Sequence, residues 1–316
     1  MKIVGTTGRD DIARAYIAEM RPGRLVEFCE SVEPPIPRKD KWVLIVSTMF
    51  GCPVGCQMCD AGGQYGGNLS AGEILSQIDF LIERRFPDRH VDVSKFKIQF
   101  ARMGEPALNP NVIDVLRRLP DRYNAPGLMP SVSSVAPSGG AGFFDELAGV
   151  KANLYGGGRF QLQFSIHTTD GALRDRLIPV KKWDFGEIAA YGENFHEQGD
   201  RKITLNFALA EGMPVDPEVL LGHFEPELFL LKLTPLNPTY RAAEHQLASR
   251  IDPECAGESP RMVADLKAAG YDVLFSAGDA EENLIGSNCG QYVQRHLRAR
   301  EALSRAYTYE CEVVEG

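Results

Sequence analysis

Gly51 to Asp60 reads GCPVGCQMCD, and its three cysteines, Cys52, Cys56 and Cys59, stand in a CxxxCxxC spacing. Three thiolates on one short loop can each take one iron of a [4Fe–4S] cluster. The next cysteine along the chain is Cys255, so the fourth iron would stay open to another ligand. A structural zinc knuckle, the ordinary alternative, needs four closing ligands and usually the tighter CxxC step. Working outward, Lys41 to Thr48 (KWVLIVST) is an apolar run of the buried-strand type that leads straight into the loop. On the far side, Ser70-Ala71-Gly72-Glu73 is a capping box that starts a helix through about Phe86. The cysteines therefore sit between a strand and a helix, at the strand's C-terminal end.

The same alternation continues. Strands are expected at Phe96 to Ala101, Met129 to Ser134, Phe160 to Ile166, Lys202 to Ala210, Leu228 to Leu233 and Tyr271 to Phe275. Helices are expected at Asn111 to Leu119, Phe143 to Val150, Phe185 to Glu197, Pro260 to Ala269 and Gln291 to Tyr307. Strands alternating with helices indicate βαβ units and a parallel sheet. Six or so such units suit an α/β fold, a curved and partly open (β/α)6 barrel over residues 41–293. Residues 1–40 read as an irregular or partly helical arm, ending in the extended connector EPPIPRK (Glu33 to Lys39). Residues 294–316 read as a C-terminal helix and tail. Gly156-Gly157-Gly158 lacks the GxGxxG pattern and a Walker lysine, and reads as a loop.

Composition narrows the function classes. The 316 residues are 44% hydrophobic and 24% charged, ordinary for a soluble enzyme. No run of about 18 apolar residues occurs, which argues against a membrane span. The N-terminus lacks the apolar core of a signal peptide. Seven cysteines in such a chain suggest metal binding or catalysis and a cytoplasmic setting, not a disulfide frame. The net charge is −9. An enzyme of nucleic acid usually carries a basic face, and the short basic groups here, such as Arg84-Arg85 and Arg117-Arg118, read as solvated helix faces.

Function in parallel α/β barrels gathers at the C-terminal ends of strands. Polar residues there are candidates for the cysteine loop's mouth: Gly104-Glu105, Ser131 to Ser134, Ser165-Ile166-His167 and Asn237. Glu105 has a clear physical use, because a carboxylate beside a cationic amino group makes a charge-assisted hydrogen bond. Each also has a plainer reading: a turn glutamate, helix-capping serines, a structural histidine, a turn asparagine before Pro238.

With these patches in view, the chain resembles the radical SAM methyltransferases of the RlmN/Cfr group, which modify adenine in ribosomal RNA. The similar stretches are VSTMFGCPVGCQMCD, ARMGEPALN, SVSSVAP, FSIHTTDGALRDRLIPV, LTPLNP and SNCGQY, in family order from about Trp42 to Val293. The resemblance implies that Cys52, Cys56 and Cys59 bind a [4Fe–4S] cluster whose open iron is chelated by S-adenosylmethionine (SAM). It implies that Gly104, Glu105, Ser133, Ser165, Ile166, His167 and Asn237 line the SAM site, and that a small electron-transfer protein such as flavodoxin or ferredoxin reduces the cluster. It also marks Cys289 as the thiol that takes a methyl group from one SAM before a second SAM generates the radical. Without the resemblance, Cys289 would read as an inert thiol in the loop Gly286 to Gly290.

Three departures stand out. The family carries a second cysteine seven positions before the first cluster cysteine, where it frees the product from a thioether and leaves a disulfide; here that position is Ile45. An aromatic residue before the last cluster cysteine is replaced by Met58. The N-terminal RNA-contacting part of the family is shortened to about forty residues. With the acidic charge, these departures favour one-carbon transfer to a small metabolite over RNA. A radical SAM enzyme that abstracts substrate hydrogen directly, with Cys289 as hydrogen donor, is the nearest rival. RNA adenine methylation with a relocated cysteine is the next, and a non-enzymatic iron–sulfur sensor the last.

Overall fold

The structure, a computed structural model, describes residues 1–251, 260–276, 280–288, 292–293, 296, 303 and 305–314. Its first thirty residues form an antiparallel meander: β1 (Lys2–Arg9), β2 (Ala13–Arg21) and β3 (Arg24–Ser31). The irregular or partly helical arm expected there is thus sheet. The Ala- and Glu-containing AYIAEM of β2 favours helix by propensity, but turns on either side overrule it. Pro22-Gly23 folds Arg21 onto Arg24, with Gly23 at φ +70°, and a Pro-Gly pair is itself a turn signal.

β3 pairs antiparallel with β4 (Lys41–Val46), so the first strands and the barrel share one sheet across residue 40. From β4 onward every pairing is parallel. The strands are β5 (Lys95–Phe100), β6 (Leu128–Ser134), β7 (Gln161–Ser165), β8 (Ile203–Leu209), β9 (Phe229–Pro235) and β10 (Asp272–Phe275). Each expected strand from Lys41 onward is present with bounds shifted by no more than two residues. β11 (Glu312–Val313) pairs with β1 and completes an eleven-stranded sheet. The expected helix Gln291 to Tyr307 falls mainly outside the described residues.

The helices between parallel strands are α1 (Ala71–Glu83), α2 (Asn111–Arg122), α3 (Ala141–Leu154), α4 (Gly171–Leu177), α5 (Phe185–Phe195), α6 (Pro217–Leu221), α7 (Tyr240–Glu244) and α8 (Pro260–Ala268); α9 (Ala280–Ile285) follows β10. Both bonds of the capping box at Ser70 and Glu73 are present at the start of α1. Alternate strand residues, Trp42, Leu44 and Val46 on β4 and Phe96, Ile98 and Phe100 on β5, are fully buried in one core with Ile74, Ile78 and Leu116 of the helices. Their sequence neighbours face the opposite, concave side. That concave side is the barrel lumen, and on β5 and β9 its residues are partly exposed while their neighbours are buried.

Candidate active site

The cysteine loop leaves β4 and is tied at once to the end of β5: the Thr48 and Met49 amides donate to the Met103 carbonyl at 2.8 and 3.1 Å. Gly51 has φ +75°, and a Cβ there would lie 2.1 Å from the Gln64 carbonyl oxygen, so the turn requires glycine. The loop closes on itself through Cys59 N–H to Cys56 O (3.2 Å) and Gly63 N–H to Cys52 O (3.3 Å). All three cysteines are partly exposed. Burial pushes the Cys56 thiol well above its ordinary pKa, and the neighbouring Cys59, Cys52 and Glu105 raise it further. Burial likewise lifts Cys52 to about 11. The three thiols and Glu105 thus share one electrostatic neighbourhood. Among the described residues no three His, Cys, Asp or Glu side chains converge on one metal-ion position. Thiols spread around a loop suit the separate irons of a cluster better than a single zinc.

The loop is held from behind by residues that the sequence reading missed. Asp60, fully buried, accepts hydrogen bonds from the Tyr240 amide (3.1 Å), the Arg241 amide (2.9 Å) and the Tyr307 hydroxyl (2.9 Å). Arg241 in turn donates to the Cys56 and Gly55 carbonyls, both at 3.0 Å, and Thr239 to the Met58 carbonyl at 2.9 Å. The carboxylate directly after Cys59 was the available signal. Val54, Met58, Val135, Leu177, Ile178 and Leu236 pack apolar surface around the loop, which limits water at the three thiols.

Glu105 stands at the end of β5 and caps the short 3-10 turn Pro106–Leu108. Its carboxylate accepts from Ala107 N–H (3.0 Å), Ser134 Oγ–H (2.6 Å) and Val135 N–H (3.0 Å). A carboxylate offers about four acceptor positions, so one direction remains for an ammonium group. Burial pushes its pKa up, against the pull of those donors; a cationic partner would offset that cost. Gly104 precedes it at φ +102°, where a Cβ would come within 2.7 Å of both Met49 and Thr48 side chains. We expect Glu105→Gln to weaken SAM binding about 10–100-fold, the weight of one hydrogen bond to a charged group at 1.5–3 kcal/mol. Equilibrium dialysis with SAM measures it; unchanged affinity would remove Glu105 from the SAM site.

The other candidates follow along the same rim. Ser134 donates to Glu105, and the buried Ser133 hydroxyl has no hydrogen-bond partner among the described residues. Ser165 ends β7 beside Asn206 of β8. The Ile166 and His167 amides both donate to the Asn206 carbonyl, at 2.9 and 3.1 Å, which leaves Ile166 a backbone role. His167 has φ +67°, and its Nδ1 accepts from the Ala208 amide at 3.1 Å. An accepting Nδ1 places the proton on Nε2. Burial, helped by Arg174, pushes the ring's pKa down to about 4, so His167 is a neutral donor through Nε2–H. Asn237 lies in the loop after β9, two residues before the Thr239 that grips the cysteine loop.

Cys289 lies outside the described residues, but the three residues before it are well held. The Arg102 guanidinium donates to the Gly286, Ser287 and Asn288 carbonyls at 2.8, 2.8 and 2.9 Å. It also pairs with Glu27 at 2.8 Å, both side chains fully buried, and Glu27 accepts from Val293 N–H at 2.5 Å. Cys29 stands directly opposite Ile45 in the β3–β4 ladder, and its Sγ donates to the Ser287 carbonyl at 3.6 Å. Cys311 sits by β1, near Gly5, at the outer edge of the sheet.

No family model matches the chain. Among curated relatives, a probable dual-specificity RNA methyltransferase RlmN of Desulfitobacterium hafniense is 32% identical over 270 residues, covering 83% of this chain and 70% of the relative. The dual-specificity RNA methyltransferase RlmN of Wolinella succinogenes is 28% identical over 311 residues, covering 92% and 83%. A crystal structure of a radical SAM methyltransferase from Sphaerobacter thermophilus shares the fold, with a TM-score of 0.72 at 22% identity over 92% of this chain and 81% of that one. No helix among the described residues is long and apolar enough to cross a membrane.

Proposed function

The chain belongs to the RlmN family of radical SAM methyltransferases, and from that premise we propose that it transfers one carbon, through Cys289, to a small metabolite and not to ribosomal RNA. Its cofactors are those of the radical SAM enzymes, a [4Fe–4S] cluster and SAM. Once reduced, for which a flavodoxin or ferredoxin is the natural donor, the cluster supplies the electron that cleaves the SAM sulfonium bond. In this reading Cys52, Cys56 and Cys59 hold the cluster, and Asp60 and Arg241 fix their loop. The free acceptor position of Glu105 orients the SAM amino group. Ser133, Ser165 and the Nε2–H of His167 donate to its carboxylate or ribose, and Asn237 faces its adenosyl part. Arg102 keeps the loop before Cys289 in place.

Ile45 carries the departure from RNA chemistry. It is partly exposed on the lumen side of β4, where the family's product-releasing thiol would stand, and an alkyl side chain cannot attack a thioether. A substrate that expels the Cys289 thiolate itself, for instance by ring closure, needs no such thiol. The acidic net charge supports the same conclusion. Anaerobic turnover of reconstituted protein with methyl-deuterated SAM tests it: label is expected in a low-mass product and S-adenosylhomocysteine is expected to form. Label confined to ribosomal RNA would overturn the substrate class; 5′-deoxyadenosine without S-adenosylhomocysteine would favour direct hydrogen abstraction.

One observation favours RNA methylation as the second reading. Among the described residues, Cys29, opposite Ile45, is the thiol best placed to substitute for the missing one. Burial pushes it up to about 12, so it is a protonated, shielded thiol at neutral pH and needs both a base and an opening motion. If it nevertheless acts, Cys29→Ala will trap a covalent protein–RNA adduct.

A further inference from the structure

Tyr307 touches both segments that the proposed chemistry must bring together. Its hydroxyl donates to the buried Asp60 carboxylate at 2.9 Å, and Asp60 directly follows the cluster cysteine Cys59. Its ring lies against Gly286, three residues before Cys289: a Cβ at Gly286 would lie 2.8 Å from Tyr307 Cδ1 and 3.0 Å from its Cε1. Gly286 has φ +74°, and its carbonyl is one of the three held by Arg102. One side chain therefore spans from the cysteine loop to the start of the Cys289 loop.

Its surroundings fix Tyr307 in that place. The backbone has φ +58°, a left-handed conformation that is costly for a bulky residue and persists only where the fold over-determines it. The Tyr307 and Gly286 amides both donate to the Asn283 carbonyl, at 3.2 and 3.1 Å, and the Thr308 amide donates to the Leu284 carbonyl at 2.9 Å. The end of α9 thus holds this backbone. The side chain is buried. The His296 ring stacks on it at 4.7 Å, Tyr292 meets it edge-on at 5.2 Å, and Tyr240 lies at 5.5 Å. Tyr240 also gives its own amide to Asp60, at 3.1 Å. Phenylalanine would serve the ring packing equally well; what it would lack is the hydroxyl on Asp60.

We propose that Tyr307 is a positioning residue that couples the cysteine loop to the segment leading into Cys289, so that assembly of the cluster on the first orders the second. The proposal rests on the reading of Cys289 as the methyl-carrying thiol, and it gives that thiol a defined place once the radical source is loaded. Iron–thiolate bonds from three cysteines stiffen the loop and Asp60 with it. The hydroxyl of Tyr307 and its ring contact carry that order to Gly286, a route of two packed contacts with no gap.

Amide hydrogen exchange with and without the reconstituted cluster tests the coupling without turnover. The probes are the Gly286, Ser287 and Val293 amides, which donate to the Asn283 carbonyl, the Glu282 carbonyl and the Glu27 carboxylate. In wild type, cluster loading should slow their exchange about fivefold or more, the lower end of coupling between linked sites. In Tyr307→Phe, compared at equal iron content, the loaded-to-empty ratio should fall to near one. That variant keeps the three thiolates and the Tyr240 and Arg241 amides on Asp60, so it is expected to load. Gly286→Ala leaves the whole cysteine loop in place and displaces the Tyr307 ring, and it should lose the ratio at Ser287 and Val293 as well. If Tyr307 served packing alone, Tyr307→Phe would keep the wild-type ratio. That result, or a wild-type ratio near one, overturns the proposal. Methyl transfer to Cys289 is scored separately in wild type by peptide mass. Coupling that is present beside an unlabelled Cys289 refutes the one-carbon reading and supports the role of Tyr307.

Discussion

Arg102→Met is expected to destabilise the protein by about 3–5 kcal/mol, because it breaks a fully buried ion pair and leaves the other charge behind. Glu27 would keep its place among buried groups with backbone amides, those of Val293 and Tyr292, to meet it, and would take up a proton. Burial already drives its pKa upward, with Arg102 the main opposing influence. The same change deletes three hydrogen bonds to the Gly286, Ser287 and Asn288 carbonyls. Methionine fills similar volume but donates nothing, so the loop before Cys289 loses its anchor. Thermal unfolding should move down by roughly 5–8 °C. In the double variant Glu27→Met/Arg102→Met much of that stability should return, since apolar replacement of a buried pair is often neutral. The loop anchor would not return, and product formed per SAM cleaved should stay low. A single variant as stable as wild type would show that the pair contributes nothing to the fold.

Cys56→Ser is expected to abolish cluster-dependent activity. Thiolate is the iron ligand, and a serine hydroxyl does not replace it at this soft site. Iron content and the visible absorbance of reconstituted protein should fall sharply, and 5′-deoxyadenosine formation should drop to background. Cys29→Ser and Cys311→Ser should keep the full iron complement, because neither thiol lies in the loop. Asp60→Asn should fall between: it retains every thiolate but weakens the clamp from Tyr240, Arg241 and Tyr307, a type of change that costs about 10–100-fold in metal affinity. Equal iron in Cys56→Ser and wild type would remove the loop from cluster binding.

Much of this architecture could be read from the chain because its signals are local. Alternating buried strands such as KFKIQF and FLLKLTP, and a capping box at Ser70, encode their own structure. The cysteine spacing and the Gly-Glu pair at a strand end likewise marked the site. What escaped depends on distant partners. The meander at residues 2–31 was hidden because its strands owe their form to pairing with β4 and β11, not to propensity. Arg102, Glu27, Asp60 and Arg241 read as ordinary charges until the fold buries them against one another across up to 186 residues. The bond from Ser134 to Glu105 escaped for the same reason, since it joins the ends of two different strands.

The decisive observation is the mass of the peptide bearing Cys289 after anaerobic turnover with methyl-deuterated SAM. The proposed chemistry predicts a trideuteromethyl group on Cys289 before reduction, and afterwards passage of its carbon with two deuteriums into product and of the third into 5′-deoxyadenosine. An unlabelled Cys289, together with full activity of Cys289→Ala, would contradict it.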